Sequence, residues 1–292
     1  MSIVNVRMQT LVDARDLGQI NDLLGRSLNR LSSGTRMSDP ASDPAGVGSI
    51  AKLDAQSKRT QAATTNVQNA ASYVQTSAGF MASMGKIVQR LSELTQFATD
   101  PIKSPEDIAL YQTEFKELQE QLRQTIGGST AEIGGTVNLN QPLGSFNKIP
   151  LYGSNPTGIS IASGSHASDV IVIPETNLRV GAMLSLFQQD SSGNYLLSVT
   201  TPGATQLTTT AVGELSTARS VLGGVDSRLE LAASSLAVEN QNISAAVSRI
   251  EDTDVATEST RLSKLNIMLQ AGTAMLSQAN QSPKSVLQLL KS

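Results

Sequence analysis

The most regular feature of the chain is an apolar position that recurs every seven residues in its C-terminal half. This repeat consists of Leu215, Leu222, Leu229, Leu236, Ile243 and Ile250. A sustained seven-residue apolar repeat is typical of a left-handed coiled-coil seam between long helices. Gly223 and Gly224 weaken it, because each glycine costs a helix about 1 kcal/mol relative to alanine. The pattern therefore predicts one long helix that begins near Thr210.

A second heptad pattern, earlier in the chain, supplies a partner for this helix. Its apolar positions are Val67, Val74, Met81, Val88 and Leu91. Residues 48–98 contain no proline, so a single helix can span them. We expect that helix to end before Pro101, because a residue that precedes proline is disfavoured in the helical conformation. A shorter helix should then begin after Ser104, an N-cap residue followed by proline, and end at Gly127.

Residues 129–209 change character, since glycine, asparagine and proline become frequent and short alternating apolar runs appear. The strand candidates are ISIAS (159–163), DVIVI (169–173), LRVGAMLSLF (178–187) and NYLLSVTT (194–201). Such runs between turn residues predict hairpins and argue against a further helix in this region.

Both ends of the chain carry apolar arcs that are too broad for a two-helix seam. The positions are Leu17, Ile20, Leu24 and Leu28 near the N-terminus, and Leu262, Leu265, Met268, Leu269, Met275, Leu276, Leu287 and Leu290 near the C-terminus. At 100° per residue the C-terminal set spreads over roughly half of the helix circumference. Exposed apolar surface of this extent marks an association site, so the terminal helices are predicted to contact other copies of the chain.

Taken together, these patterns predict a mainly α fold. Long antiparallel helices form a coiled-coil or bundle rod, and a small β-hairpin region is inserted between the N- and C-terminal helical halves. Composition supports this fold class, because only 3% of the residues are aromatic and small side chains suit closely packed helices. The net charge of −3 provides no basic field for nucleic acid, and no apolar run is long enough to span a membrane.

Candidate chemistry is sparse. The single histidine, His166, lies in the strand-rich region and is expected to be a surface loop residue. The chain has no cysteine and no glycine-rich phosphate loop, so the sequence predicts no catalytic, cofactor or metal site and no enzyme activity. Acidic residues near 251–258 are better explained as the cap and first turn of the last helix, with Asp252 or Asp254 as the cap.

Several stretches of the chain closely resemble bacterial flagellin, the subunit of the flagellar filament. They are RLSSGTRMSDPASDPAG (30–46), the helix that follows it, and a C-terminal segment that ends in MLSQANQSPKSVLQLL (275–290). GSFNKIPLYGS (144–154) is also similar to the family's FNG strand entry, although Lys148 stands where the family has glycine.

The resemblance implies a domain organisation. Residues 1–47 and 251–292 would form an inner terminal coiled-coil domain, with 31–47 as its connecting loop and 251–254 as the returning strand. Residues 48–128 and 210–250 would form a helical rod domain, and 129–209 its β-rich hairpin region. No large outer domain is expected.

The resemblance also implies a function, a location and partners. The chain would be exported by the flagellar type III channel, in agreement with a first segment that lacks signal-peptide features, and would polymerise with itself in the extracellular filament. An export chaperone, the filament cap and hook-associated proteins would be further partners, with no nucleic-acid or membrane partner. A possible patch for a vertebrate Toll-like receptor matches the family at Arg90, Leu94 and Glu114.

Two alternative functions stay open at this point. The hook–filament junction protein of the flagellum shares the same architecture, and SDPASDPAG (38–46) is slightly similar to it. A non-flagellar coiled-coil adaptor could also carry the heptads, but it would not need apolar arcs at both ends. The MLSQANQSPKSVLQLL segment favours flagellin.

Overall fold

The computed structural model describes residues 2–37, 41, 43–153, 157–166 and 168–289. Within the two terminal helices it places the side chains of 8, 11–33, 255–279 and 281. The helices are α1 (Ser2–Ser33), α2 (Pro44–Ala98), α3 (Pro105–Ile126), α4 (Thr130–Ile133), α5 (Gly181–Phe187), α6 (Ala204–Glu251) and α7 (Val255–Leu289). The strands are β1 (Ser145–Phe146), β2 (Ile149–Pro150), β3 (Ile159–Ala162) and β4 (Val170–Ile173). The mainly helical fold with inserted hairpins confirms the predicted fold class.

The chain divides into two compact units. We call Met1–Lys58 with Gln241–Ser292 the terminal unit, and Arg59–Asn240 the central unit. The domain boundaries predicted from the family resemblance differ from this division and stay a prediction.

Within the central unit α2 and α6 pack side by side in opposite directions. The hydroxyl of Thr205 donates to that of Thr95 over 3.2 Å, and the hydroxyl of Thr60 donates to the Glu239 carboxylate over 3.4 Å. The start of α6 therefore meets the end of α2, and the end of α6 meets the earlier part of α2. A core of fully buried side chains lies between α2, α3, α5, α6 and the first hairpin: Met81, Met84, Leu91, Leu94, Phe115, Leu122, Tyr152, Met183, Leu186 and Phe187.

The ends of α3 follow the local signals in the sequence. Ser104 and Asp107 form a reciprocal capping box, in which each side chain accepts the backbone N–H of the other at 3.2 Å. These hydrogen bonds hold the pKa of Asp107 below its usual value, because they favour the carboxylate form. Gly127 ends the helix at φ +64°, a conformation that glycine adopts without steric cost.

Of the predicted strands, ISIAS (159–163) and DVIVI (169–173) are confirmed, and they form one hairpin. β3 pairs with β4 in antiparallel register, with Ile159 opposite Ile173. β1 pairs with β2 across a two-residue turn in which Asn147 has φ +49° and Lys148 has φ +65°. A turn with two positive φ values matches strand twist, and asparagine followed by glycine is its preferred sequence.

Two strand predictions are wrong. Residues 178–187 contain the helix α5, because the Glu214 carboxylate on α6 accepts the N–H groups of Ala182 at 3.0 Å and Met183 at 2.9 Å. Residues 194–201 form no strand, and their β-type backbone pairing is limited to one isolated bridge between Tyr195 and Gln189.

Candidate assembly surface

The last helix, α7, begins at a side-chain cap. Asp254 Oδ1 accepts the backbone N–H of Ala256 at 2.9 Å and that of Thr257 at 3.3 Å, and Oδ2 accepts the Thr257 hydroxyl at 2.8 Å. The hydroxyl and the two amides favour the carboxylate, so they lower the pKa of Asp254. Of the two caps that the sequence offered, the structure uses Asp254.

Within the terminal unit α7 lies antiparallel against α1. The Ser27 hydroxyl donates to Glu258 Oε1 over 2.5 Å near the start of α7, whereas Gly272 packs against Leu17 further along. A Cβ added at Gly272 would lie 2.8 Å from a Leu17 methyl carbon, so the absence of a side chain allows this close approach. Leu265, which is 4% exposed, is the most buried apolar residue among the described side chains of the two helices.

The predicted assembly residues fall into two groups. Those that are buried or half-buried are Leu17, Ile20, Leu24, Leu262, Leu265, Leu269 and Leu276. Those that are exposed are Leu28, Met268 and Met275. The side chain of Leu287 and the whole of Leu290 lie outside the described part of the chain.

Both terminal helices therefore keep apolar side chains that are open to solvent, on more than one side of each helix. We use the name open face for this set: Met8, Leu11, Val12, Leu28, Val255, Ile267, Met268 and Met275. Its members range from 36% exposed at Met268 to 70% at Met275. The sequence patterns did not indicate Met8, Leu11, Val12, Val255 and Ile267. At 100° per residue Met8, Leu11 and Val12 lie outside the arc that Leu17, Ile20, Leu24 and Leu28 define on α1. Covering each of these side chains is worth on the order of 1 kcal/mol, and exposed apolar surface of this kind is typical of association sites.

A short backbone contact lies at the predicted break after α1. Gly34, at φ +71°, turns the chain out of α1, and Thr35 then pairs with Asp252 in an isolated antiparallel bridge. Residues 38–40 and 42 of the predicted connection lie outside the described part of the chain. The bridge joins the segment that leaves α1 to the one that enters α7.

The predicted seam residues lie in both units. In the central unit Val67, Val74, Met81, Val88, Leu91, Leu215, Leu222, Leu229 and Leu236 are buried. In the terminal unit Ile243 is buried and Ile250 is half-buried. Glu239 takes a polar place in the heptad, and its carboxylate accepts hydrogen bonds from the Thr60 and Ser165 hydroxyls. This carboxylate therefore ties the loop between β3 and β4 to α6.

The residues of the possible receptor patch differ in their exposure to solvent. Arg90 Nε donates to Glu114 Oε1 at 2.6 Å and Nη2 to Oε2 at 3.1 Å, which is a bidentate ion pair between α2 and α3. Arg90 thereby lowers the pKa of Glu114, and hydrogen bonding to Glu114 raises the pKa of Arg90. Leu94 is buried in the core, so the surface there presents Arg90 and Glu114. The receptor patch stays a prediction.

His166 is exposed and its Nδ1 lies 3.2 Å from an Asp169 carboxylate oxygen, as a loop residue on the surface. Across the described ranges no group of three or more histidine or acidic side chains is close enough to hold a metal ion. Nor, within those ranges, does any helix combine the length and apolar character needed to cross a membrane.

Comparisons with known proteins place both helical halves in one family. Residues 4–132 match the family model described as the bacterial flagellin N-terminal helical region, and 205–290 match the bacterial flagellin C-terminal helical region. Flagellin FlaB2 of Treponema pallidum is 30% identical over 298 residues, which cover 99% of this chain and 100% of the relative. The flagellar filament 33 kDa core protein of Treponema phagedenis is 30% identical over 300 residues, with 99% and 100% covered. Flagellin of Bacillus subtilis is 29% identical over 302 residues, with 99% of each chain covered.

Proposed function

Because the chain belongs to the bacterial flagellin family, we propose that it is the structural subunit of a flagellar filament, which many copies build by polymerisation for motility. Flagellins are structural proteins of an extracellular filament. The open face of α1 and α7 is the observation in the structure that supports this role.

Polymerisation follows from the physics of that face. The pairing of α1 with α7 covers Leu265 but leaves Met268 and Met275, three and ten residues further along the same helix, in contact with water. Two helices cannot enclose apolar arcs this broad, whereas a packed array of such pairs can. We propose that residues 1–47 and 251–292 form this array as the inner wall of the filament, and that the helices gain much of their order there.

Export and the remaining partners are also proposed from the family. The chain would leave the cell unfolded, without cleavage of a signal peptide, through the flagellar type III channel. An export chaperone, the filament cap and hook-associated proteins would contact it on the way. No enzyme activity is proposed, because the role of a filament subunit is to pack against its neighbours.

Recognition by a vertebrate Toll-like receptor would use the surface that Arg90 and Glu114 present. Their bidentate ion pair fixes both side chains between α2 and α3. Ser92, Gln96 and Phe97 depart from the family's pattern in the same stretch, so we propose that this surface is a weaker receptor site than the full family patch.

The assembly proposal is tested by placing charge on the open face. The double variant Met268→Glu/Met275→Glu should lose filament formation, because the neighbouring copy would have to bury two unpaired carboxylates per subunit. Sedimentation of polymer from the purified chain and negative-stain electron microscopy measure the effect.

The matched control is Asn266→Glu/Thr273→Glu. Asn266 and Thr273 are also exposed, also seven residues apart on α7, and their replacement adds the same charge. We expect the control to polymerise at a concentration within a few-fold of the parent chain. Filaments of normal yield from the Met268→Glu/Met275→Glu variant would contradict the proposed assembly surface.

A further inference from the structure

Methionine side chains are concentrated on the open face. Among the described side chains the exposed methionines are Met8 at 67%, Met268 at 36% and Met275 at 70%, and all three belong to that set. The methionines of the central core are completely buried: Met81, Met84 and Met183. The described part of the chain therefore presents its thioether sulfurs to solvent mainly where the proposed contacts between copies lie.

Met268 and Met275 lie on the same side of α7. They are seven residues apart, which is two helical turns, or about 10 Å along the axis. Ala271 lies between them, three residues after Met268 and four before Met275, and it is exposed as well. A neighbouring copy that covers this strip of α7 would therefore meet apolar surface from one methionine to the other.

An exposed thioether reacts with peroxides. The sulfur attacks one peroxide oxygen, so that an S–O bond forms, the O–O bond breaks, and the second oxygen leaves as water after it takes up the proton of the first. Sulfur loses two electrons to the peroxide and becomes a sulfoxide. No thiol competes for the oxidant, because the chain has no cysteine.

The sulfoxide changes the surface that assembly requires. It replaces an apolar side chain by a strongly polar one, which disrupts methionine-rich interfaces. In the free chain water solvates the new oxygen, whereas in a contact between copies the oxygen would be buried without a hydrogen-bond donor. Oxidation therefore penalises the assembled state and leaves the free chain almost unaffected.

We propose that Met268 and Met275 are modification sites for peroxides, and that their oxidation excludes a free subunit from the polymer. The inference rests on the proposed function, because it requires that a neighbouring copy covers the strip of α7. Assembly protects the same two sulfurs, since a covered side chain is out of reach of the oxidant. The modification is reversible, because methionine sulfoxide reductases return both sulfoxide epimers to the thioether.

The test treats the purified soluble chain with hydrogen peroxide, removes the oxidant with catalase, and measures polymerisation by sedimentation. Peptide mass spectrometry locates each added oxygen. We expect Met268 and Met275 to gain one oxygen each, at least about tenfold faster than the core methionines. The concentration at which the chain polymerises should rise at least about tenfold, and methionine sulfoxide reductases A and B should restore it.

The resistant variant is Met268→Leu/Met275→Leu, which keeps apolar side chains of similar volume. Its matched control is Met8→Leu, which removes the other exposed methionine and leaves the pair on α7. Each variant is compared with its own untreated sample. Peroxide should leave the threshold of the double variant within a few-fold of its untreated value, and should raise that of Met8→Leu as it does in the parent. Filaments formed before the treatment should gain oxygen at Met268 and Met275 at least about tenfold more slowly than the free chain.

Equal polymerisation thresholds for the oxidised and the untreated parent would overturn the proposal. So would an equal rise in the double variant, because a different site would then be responsible. A loss of helix content in the oxidised parent, measured by circular dichroism at 222 nm, would also contradict it, since oxidation would then act by unfolding the chain. If the untreated parent does not polymerise, the proposed function itself fails. If it polymerises and peroxide has no effect, only the oxidation proposal fails.

Discussion

Truncation of Leu229 tests whether the heptad seam stabilises the central unit. Leu229 is 0% exposed and lies where α6 packs into the core, whereas Leu231, two residues later on the same helix, is 70% exposed. The two leucines have the same intrinsic helix propensity and the same side chain. The pair Leu229→Ala and Leu231→Ala therefore separates the contribution of burial from that of helix formation.

The expected magnitudes follow from burial. Removing a fully buried leucine side chain costs about 2–5 kcal/mol, which combines the lost transfer free energy with the cavity that remains. At Leu231 little contact is lost and alanine is the better helix former, so the free energy of unfolding should change by less than about 0.5 kcal/mol. For a unit of this size each kcal/mol shifts the melting temperature by roughly 2–4 °C. Leu229→Ala should thus melt about 5–15 °C below Leu231→Ala.

Thermal and urea unfolding, followed by circular dichroism at 222 nm, measure both variants under conditions where the chain is soluble. Equal melting temperatures for the two variants would refute the assignment of Leu229 to the core. A large loss of stability in Leu231→Ala would also count against it, since that side chain would then have to be covered within one copy.

Two further predictions concern the β1–β2 turn and the start of α7. Lys148→Gly should raise the free energy of unfolding in urea by roughly 0.5–1 kcal/mol, because Lys148 has φ +65° and glycine adopts this conformation without the steric cost. Asn147→Gly is the control, for which we expect a smaller gain in stability. A lower free energy of unfolding in Lys148→Gly would argue against this turn geometry. The lowered pKa of Asp254 stabilises the folded state above the unfolded pKa of about 3.9, and this contribution is lost as the pH falls through the folded pKa. Asp254→Asn keeps a helix cap that does not titrate. The helix content of this variant should therefore depend less on pH between about pH 5 and 2, and its helix content at pH 7 should change little. An acid titration identical to that of the parent chain would contradict this role.

Much of the fold follows from local and periodic signals in the sequence. The heptads of α2 and α6 place their apolar positions in the core. Ser104 caps the start of α3 and Gly127 ends it, and both act on backbone groups within a few residues. Such signals can be recognised in the sequence because the residues that provide them are neighbours along the helix. They are sufficient to predict a mainly helical fold with an inserted hairpin region.

The two wrong strand predictions have long-range causes. α5 forms because Glu214, on a different helix, accepts its first free N–H groups. The segment after it is shaped by Gln112 of α3, whose side-chain oxygen accepts the backbone N–H of Val199 at 2.8 Å and the Ser198 hydroxyl at 2.7 Å. Alternating apolar residues in a short segment do not reveal such partners, so the pattern alone favoured strands.

The sequence indicates that the terminal helices carry an association surface, but it does not identify which of their apolar side chains stay exposed. Broad apolar arcs at both ends indicated association, yet the sequence could not separate Leu265, which pairs within the chain, from Met268, which stays open. That division depends on the alignment of α1 with α7, and the alignment comes from contacts between distant residues, such as Leu17 with Gly272 and Thr35 with Asp252.

The central claim is that copies of this chain jointly cover the open face of α1 and α7. A cryo-electron microscopy structure of the polymer formed by the purified chain measures this directly, through the solvent exposure of Leu11, Met268 and Met275 in the assembly. We expect these side chains to be buried against neighbouring copies. A polymer in which they remain in water, or a chain that stays monomeric at every concentration with both terminal helices ordered, would contradict it.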